Sequence, residues 1–301
     1  MRNSWRGIFP AVTTALHADG SLDLPGFERH IAALAEAGVH GLVVGGSLGE
    51  NAMLNTGEKL RLIKAASGAL GGRVPLLAGV AENTTGAACD FVRAAEGAGA
   101  DGFMVLPPTH YASDRTETLR HLRTVARSSR CPIMLYNNPI AYRVDVFPEM
   151  FAELADEEGI VAIKESSEDV RRITDIQNLV GDRFRIFIGV DDLALEAFTL
   201  GAVGWVAGLA GAFPRESVAL YRLAMEHRLE EARALYQWFT PLLHLDASVK
   251  FVQYIKLAEA MTGMGSEHVR APRLRLEGVE RARVEAIIRH AIETRPALPS
   301  F

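Results

Sequence analysis

The chain has 301 residues, of which 49% are hydrophobic and 23% are charged, and its formal net charge at pH 7 is −5. This size and composition fit a globular protein with a large core, and the acidic balance excludes a basic footprint for nucleic acid or anionic membranes. No apolar run reaches the roughly 18 residues of a membrane-spanning helix. The first residues lack the apolar segment of a signal peptide, and the two cysteines are isolated, so we expect reduced thiols and a cytoplasmic protein.

Short apolar segments alternate with segments of helical periodicity. The predicted strands are residues 7–12, 41–45, 75–80, 102–106, 132–136, 160–164, 184–189 and 202–207. The predicted helices between them are residues 23–37, 56–69, 84–98, 116–128, 148–157, 168–180 and 193–200. Eight such repeats predict an α/β protein with a (β/α)8 TIM barrel. An open doubly wound sheet is the alternative, but its GxGxxG fingerprint for a dinucleotide is missing.

Only helical periodicity remains after the eighth repeat. The predicted helices there are residues 216–227, 229–245, 248–261 and 281–294. We therefore predict a catalytic barrel at residues 1–225 and a C-terminal helical region at residues 226–301.

Lys164 ends the sixth predicted strand, directly after a run of small and β-branched apolar residues. A lysine at such a position is unusual, because an ammonium group is almost never buried without a reason. The alternative is an ordinary lysine whose amine reaches water. Of the five lysines, the other four lie in amphipathic helical stretches. Burial lowers the pKa of a lysine, and its free amine can then attack a 2-oxo acid to form a Schiff base.

Other polar residues follow the ends of the predicted strands, where the active sites of barrels lie. They are Ser47, Glu82, Asn83, His110, Tyr111, Tyr136, Asn137, Asn138, Asp191 and Asp192. Schiff-base chemistry needs a proton shuttle, for which Tyr136 is the candidate. The turn with Gly46 and Ser47 offers N–H groups and a hydroxyl to a carboxylate. No metal-ligand spacing is present, so we predict neither a metal nor a cofactor.

Four short motifs occur in order along the chain: GSLGE at residues 46–50, YNNP at 136–139, IKE at 163–165 and GVDD at 189–192. In these motifs the sequence resembles the dihydrodipicolinate synthase/N-acetylneuraminate lyase family of class I aldolase-type lyases. The resemblance covers the whole chain and implies a homotetramer built as a dimer of dimers. It also implies that Lys164 forms the Schiff base and that Tyr136 donates and accepts protons. Ser47 would bind carboxylate and relay protons, and Val206 would border the site with its carbonyl group.

Three positions depart from the synthase branch of that family. Leu48 replaces a second hydroxyl, and Ala141 stands where an arginine binds a distal carboxylate, with Arg143 only nearby. His110 takes the place of a tyrosine that crosses between subunits, and Tyr111 follows it. We therefore predict a lyase, of aldolase or dehydratase type, for pyruvate or a hydroxylated 2-oxo acid such as a 2-keto-3-deoxy sugar acid. The alternatives are a dihydrodipicolinate synthase, which condenses pyruvate with aspartate semialdehyde, and a non-catalytic 2-oxo acid-binding barrel.

The candidate substrate-binding residues share a position at the predicted barrel mouth. They are Gly46, Leu48, His110, Asn138, Arg143, Ser166, Asp191 and Val206. Ser166, Asp191 and Asp192 match places where the lyase branch holds a polyol. A helix N-cap is the alternative role for the two aspartates. Whether the leaving group is an aldehyde, water or ammonia stays open at this point.

Overall fold

Eight parallel strands close into a barrel in the computed structural model, which describes residues 5–301. The strands are β1 (Gly7–Pro10), β2 (Leu42–Val44), β3 (Leu76–Val80), β4 (Gly102–Val105), β5 (Ile133–Asn137), β6 (Ile160–Glu165), β7 (Arg185–Ile188) and β8 (Gly204–Ala207). Their order in the sheet is β1-β8-β7-β6-β5-β4-β3-β2. The ring closes through a parallel bridge between Ala11 and Val43, where the Val12 N–H donates to the Val43 carbonyl at 2.9 Å. The predicted (β/α)8 barrel is confirmed.

Helices surround the strands and continue after the last one. Those of residues 5–301 are α1 (Leu24–Glu36), α2 (Thr56–Leu70), α3 (Thr85–Gly97), α4 (Arg115–Ser128), α5 (Pro139–Tyr142), α6 (Pro148–Glu153), α7 (Arg171–Val180), α8 (Ala194–Thr199), α9 (Pro214–Met225), α10 (Leu229–Leu243), α11 (Phe251–Thr262) and α12 (Gly278–Glu293). Every position of β2, β3, β4, β5 and β8 is buried. Helices cover such strands on one side and inward side chains fill the other, which explains their apolar sequences.

Local capping residues explain where several helices begin. The side chains of Asn55 and Asp114 each accept a hydrogen bond from a backbone N–H three residues later. In turn, the carboxylates of Glu58 and Glu117 accept the backbone N–H of Asn55 and Asp114. These are capping boxes, which satisfy free N–H groups of the first turn. Gly71 ends α2 with a φ of 56°, a left-handed conformation that favours glycine. The helices therefore begin and end close to where the sequence predicts.

Two predicted helices of the barrel differ from the structure in their bounds by three or four residues, and one short helix was not predicted. The helix predicted at residues 168–180 begins at Arg171, because Glu168 has a φ of 65° and the Asp169 carboxylate accepts the Arg171 N–H. The helix predicted at residues 148–157 already ends at Glu153. Helix α5, which the periodicity did not indicate, begins at Pro139 after an Asn138 cap. The first and the last of these differences lie on loops that follow the carboxyl ends of β6 and β5, at the barrel mouth.

The last three helices pack onto the barrel and onto one another. Helix α10 contacts α8 and α9, and α12 contacts α10 and α11. Lys256 of α11 reaches back to Glu50, in the turn after β2, with a distance of 2.5 Å between Nζ and Oε1. The boundary predicted after residue 225 coincides with the end of α9, and the division into two domains stays a prediction. Within residues 5–301, no helix combines the length and apolar character needed to cross a membrane.

Candidate active site

Tyr136 and Lys164 lie side by side at the carboxyl ends of β5 and β6. They are register partners in the parallel pair, and both side chains are buried. Register partners point to the same side of a sheet, here the barrel interior. The Lys164 Nζ atom lies 4.0 Å from the centre of the Tyr136 ring. The structure therefore brings the predicted nucleophile and the predicted proton shuttle into contact.

The environment of Lys164 favours its neutral amine. Burial lowers the pKa of the ammonium group, and the neighbouring Asp246, Tyr142 and Asp191 oppose that effect only partly. Gly189 makes room for the side chain, because a Cβ atom at Gly189 would lie 2.2 Å from Lys164 Cε. A lowered pKa raises the fraction of amine that can attack a carbonyl carbon.

The Tyr136 hydroxyl is held in place and stays protonated at neutral pH. Burial raises its pKa to about 12, although a hydrogen bond of 3.0 Å from Asn138 Nδ2 acts in the other direction. Ser166 Oγ lies close enough to oppose that rise as well, yet it has no hydrogen bond of good geometry within residues 5–301. A buried hydroxyl without such a bond costs free energy, and a ligand hydroxyl could satisfy it.

The turn after β2 carries Ser47 at the barrel mouth. Ser47 Oγ forms a short hydrogen bond with the hydroxyl of Tyr142. The turn is fixed by its own backbone, with Glu50 N–H donating to the Ser47 carbonyl at 3.1 Å and Asn51 N–H to the Gly46 carbonyl at 3.2 Å. Ser47 is thus held at the rim, with its hydroxyl directed towards Tyr142 from the loop after β5.

Two carboxylates lie near the Lys164 amine. Asp191 accepts hydrogen bonds from Trp205 Nε1 at 2.8 Å, from the Gly208 N–H at 3.1 Å and from the Leu209 N–H at 2.8 Å. Burial nevertheless raises its pKa to about 6. Asp246 packs against Gly208, where a Cβ would lie 2.2 Å from its Oδ1 atom, and burial together with Asp191 raises its pKa well above the usual value. The two acids share a small, poorly solvated space.

The aspartates after β7 bond to other elements rather than to their own helix. The donors to Asp191 all come from β8 and the residues that follow it. Asp192 pairs with His244 Nδ1 at 2.7 Å, and its carbonyl accepts the Tyr236 hydroxyl at 2.5 Å. Neither aspartate caps α8 with its side chain, so the N-cap alternative is not realised.

The remaining predicted substrate residues lie around the same mouth or on its outer loops. Leu48 is buried, and Val206 of β8 is buried opposite Phe9 of β1. His110 is exposed on the loop after β4, and Arg143 is exposed at the end of α5 with a φ of 60°. Their roles in binding substrate stay predictions.

Two residues at the site were missed by the sequence analysis. Tyr142 ends α5 and reaches Ser47, and Asp246 follows α10 and opposes the lowering of the Lys164 pKa by burial. For Tyr142, a tyrosine six residues after Tyr136 in a strand-end loop was the available signal. For Asp246 the sequence carries no local signal, because only tertiary packing brings the C-terminal helices to the mouth.

Comparison with known proteins identifies the family. The chain matches the dihydrodipicolinate synthetase family over residues 4–291. It is 34% identical to a 4-hydroxy-tetrahydrodipicolinate synthase of Methanospirillum hungatei over 89% of this chain and 93% of that protein. A corresponding synthase of Methanothrix thermoacetophila is 33% identical over 89% of this chain and 90% of its own.

Solved structures agree with this match. The 4-hydroxy-tetrahydrodipicolinate synthase of Methylacidiphilum fumariolicum SolV superimposes with a TM-score of 0.92 at 29% identity, over 96% of this chain and 97% of that one. A prophage protein of the dihydrodipicolinic acid synthase family from E. coli K12, in complex with pyruvate, has a TM-score of 0.91 at 29% identity, over 96% of this chain and 99% of its own.

The chain therefore belongs to the dihydrodipicolinate synthetase family. It is an enzyme, a lyase of the class I aldolase type, as the other members of the family are. The resemblance inferred from the four short motifs is confirmed.

Proposed function

We propose that this lyase forms a Schiff base between Lys164 and the carbonyl carbon of pyruvate or of a hydroxylated 2-oxo acid. The observation that carries the proposal is the Lys164 amine, which is buried at the barrel mouth against Tyr136 with a lowered pKa. An amine of this kind is nucleophilic near neutral pH. The E. coli relative in complex with pyruvate supports a 2-oxo acid as the reacting part of the substrate.

The proposed chemistry uses the groups at the mouth in turn. The Nζ lone pair attacks the carbonyl carbon, and the carbonyl oxygen leaves as water after taking two protons. The resulting iminium withdraws electrons from the carbon chain. When the bond between C3 and C4 breaks, the electron pair moves towards nitrogen, and an aldehyde leaves as its hydroxyl proton passes to a base. Tyr136 is the proposed acid and base in these steps, and the turn with Gly46 and Ser47 is the proposed site of the carboxylate.

The loops support a hydroxylated substrate tail over a charged one. Leu48 stands where the synthase branch of the family has a second hydroxyl. Ala141 stands where that branch has the arginine that binds a second carboxylate. Ser166, a buried hydroxyl without a well-formed hydrogen bond in the described chain, supports a substrate hydroxyl close to the amine. A 2-keto-3-deoxy sugar acid has this pattern. The second candidate is the condensation of pyruvate with aspartate semialdehyde, since the relatives at 34% and 33% identity are named as synthases.

A substrate panel separates the two candidates. Pyruvate release is measured from several 2-keto-3-deoxy sugar acids, and pyruvate consumption is measured with aspartate semialdehyde. We expect cleavage of at least one sugar acid and its loss in Lys164→Ala, whereas Lys64→Ala, at an exposed position on α2, retains it. Rapid condensation with aspartate semialdehyde and no cleavage of any sugar acid would contradict the first candidate.

We also propose a homotetramer, a dimer of dimers, in the cytoplasm. The oligomeric nature of the family supports the assembly. The two unpaired cysteines, Cys89 and Cys131, support a reducing compartment.

A further inference from the structure

The hydroxyl of Ser47 has its hydrogen-bond partner in Tyr142 of the same chain. The two residues are 95 positions apart, and they meet because the turn after β2 and helix α5 lie at the same end of the barrel. The Tyr142 ring also packs edge-on against Tyr136, with ring centres 5.9 Å apart and an angle of 81° between the planes. One serine and two tyrosines therefore form a group beside the Lys164 amine.

Side-chain caps hold the segment that carries the second tyrosine. Asn138 Oδ1 accepts the Ala141 N–H at 2.9 Å and so begins α5, while Asn138 Nδ2 donates to the Tyr136 hydroxyl at 3.0 Å. Further along, the buried Asn137 accepts the Val146 N–H at 2.9 Å. The segment is thus fixed at both ends, and one asparagine links its conformation to the position of the inner tyrosine.

The two tyrosines differ in their access to water. Tyr136 is buried, whereas Tyr142 is only partly buried. Burial raises the pKa of Tyr142 to about 12, so its phenol is neutral near pH 7. A neutral hydroxyl can accept one proton while it gives up another, so a chain of hydroxyls passes protons without holding a charge.

We propose, on the basis of the proposed function above, that Tyr142 is the outer hydroxyl of a proton relay that joins Ser47 to solvent within a single chain. In each passage Ser47 gives its proton towards the reacting atoms and takes one from Tyr142, which takes one from water. As many O–H bonds form as break. The relay then needs no tyrosine from a neighbouring subunit, and the exposed loop with His110 and Tyr111 is free of this role.

The test measures proton transfer apart from Schiff-base formation. In D₂O, the enzyme exchanges the methyl protons of pyruvate through the enamine, which NMR follows, while borohydride traps the Schiff base. We expect Tyr142→Phe to lower the exchange rate by about 100-fold, a typical size for a lost acid–base group. The amount of trapped adduct should stay within about twofold of the wild type. Exchange at the wild-type rate in Tyr142→Phe, with adduct present, would overturn the relay.

Ser47→Ala, which leaves α5 intact, tests the same link from the other end. We expect a similar loss of exchange and no further loss in the double variant with Tyr142→Phe, because both break one chain. Independent losses that multiply would contradict a shared relay. Tyr254→Phe on α11 is the matched control and should exchange normally. Loss of exchange in Tyr111→Phe, with Tyr142→Phe unaffected, would assign the role to the loop after β4.

Subunit mixing tests whether the relay lies within one chain. Lys164→Ala and Tyr142→Phe subunits are unfolded together and refolded as hybrids. With both groups needed in the same chain, no site in a hybrid is complete, and exchange stays at the level of the separate variants. Recovery of exchange would show that Tyr142 serves a neighbouring subunit. A wild-type enzyme that forms no adduct and exchanges no protons would instead reject the proposed function itself.

Discussion

The ionisation of Lys164 depends on a balance between burial and the carboxylate of Asp246. Burial lowers the pKa of the amine, and Asp246 is the largest of the charges that raise it. Asp246, which follows helix α10, therefore limits how far burial lowers the pKa of the Lys164 amine. In the Schiff base proposed above, the iminium would carry a positive charge, and the carboxylate of Asp246 would stabilise that charge.

Replacing Asp246 should shift the acid limb of the pH–rate profile, the pH range in which the rate of Schiff-base formation falls as the Lys164 amine becomes protonated. In Asp246→Asn the pKa of Lys164 falls further, so the free amine persists to lower pH and the rate of adduct formation at acidic pH rises relative to its plateau. The rate of borohydride-trapped adduct formation as a function of pH measures this. Asp175→Asn, at an exposed position on α7, is the matched control and should leave the limb unchanged. A shift of the acid limb to higher pH in Asp246→Asn would contradict the conclusion that Asp246 raises the pKa of Lys164 against the effect of burial.

Among the secondary-structure elements, the turn after β2 depends on a helix far away in the sequence. Glu50 adopts a φ of 57° in this turn, and its carboxylate bonds to Lys256 Nζ at 2.5 Å and to the Arg270 N–H at 3.1 Å. Both charged side chains of the pair are 1% exposed. Helix α11 thereby holds the loop that presents Ser47, which connects the C-terminal helices to the site.

Removing one partner of this pair should cost stability. Lys256→Met leaves the Glu50 carboxylate buried without its lysine, a change that typically costs about 3–5 kcal/mol of unfolding free energy. The double variant with Glu50→Gln should recover part of that loss. Urea unfolding measures both. Lys250→Met, which breaks the more exposed pair with Glu280, is the control and should cost far less. Equal losses of unfolding free energy in the two lysine variants would show that the buried pair stabilises the fold no more than the exposed pair does.

The same elements show how far the sequence could predict the structure. Hydrophobic periodicity and turn residues were enough to predict the barrel, because each strand and helix has its own local sequence pattern. The contact between Lys164 and Tyr136 could be predicted because the strand ends of a barrel converge on one face. Helix α5 was missed, since four residues carry no periodicity and its start depends on the Asn138 cap. Tyr142 and Asp246 were missed because contacts between distant segments place them, and such contacts leave no spacing in the sequence.

The assembled molecule offers a test of the expected quaternary structure. A tetramer should sediment as a single species of about four times the chain mass of 32.7 kDa at micromolar concentration. Sedimentation velocity measures this over a range of dilutions. A monomer at micromolar concentration would contradict the predicted assembly.

The central claim is that Lys164 forms a Schiff base, and one experiment tests it directly. The protein is incubated with pyruvate, reduced with borohydride and digested, and the peptides are mapped by mass spectrometry. With five lysines in the chain, each can be assigned separately. We expect one reduced pyruvate adduct per chain, located on Lys164 and missing in Lys164→Ala. No adduct with any 2-oxo acid, or an adduct confined to another lysine, would contradict the account.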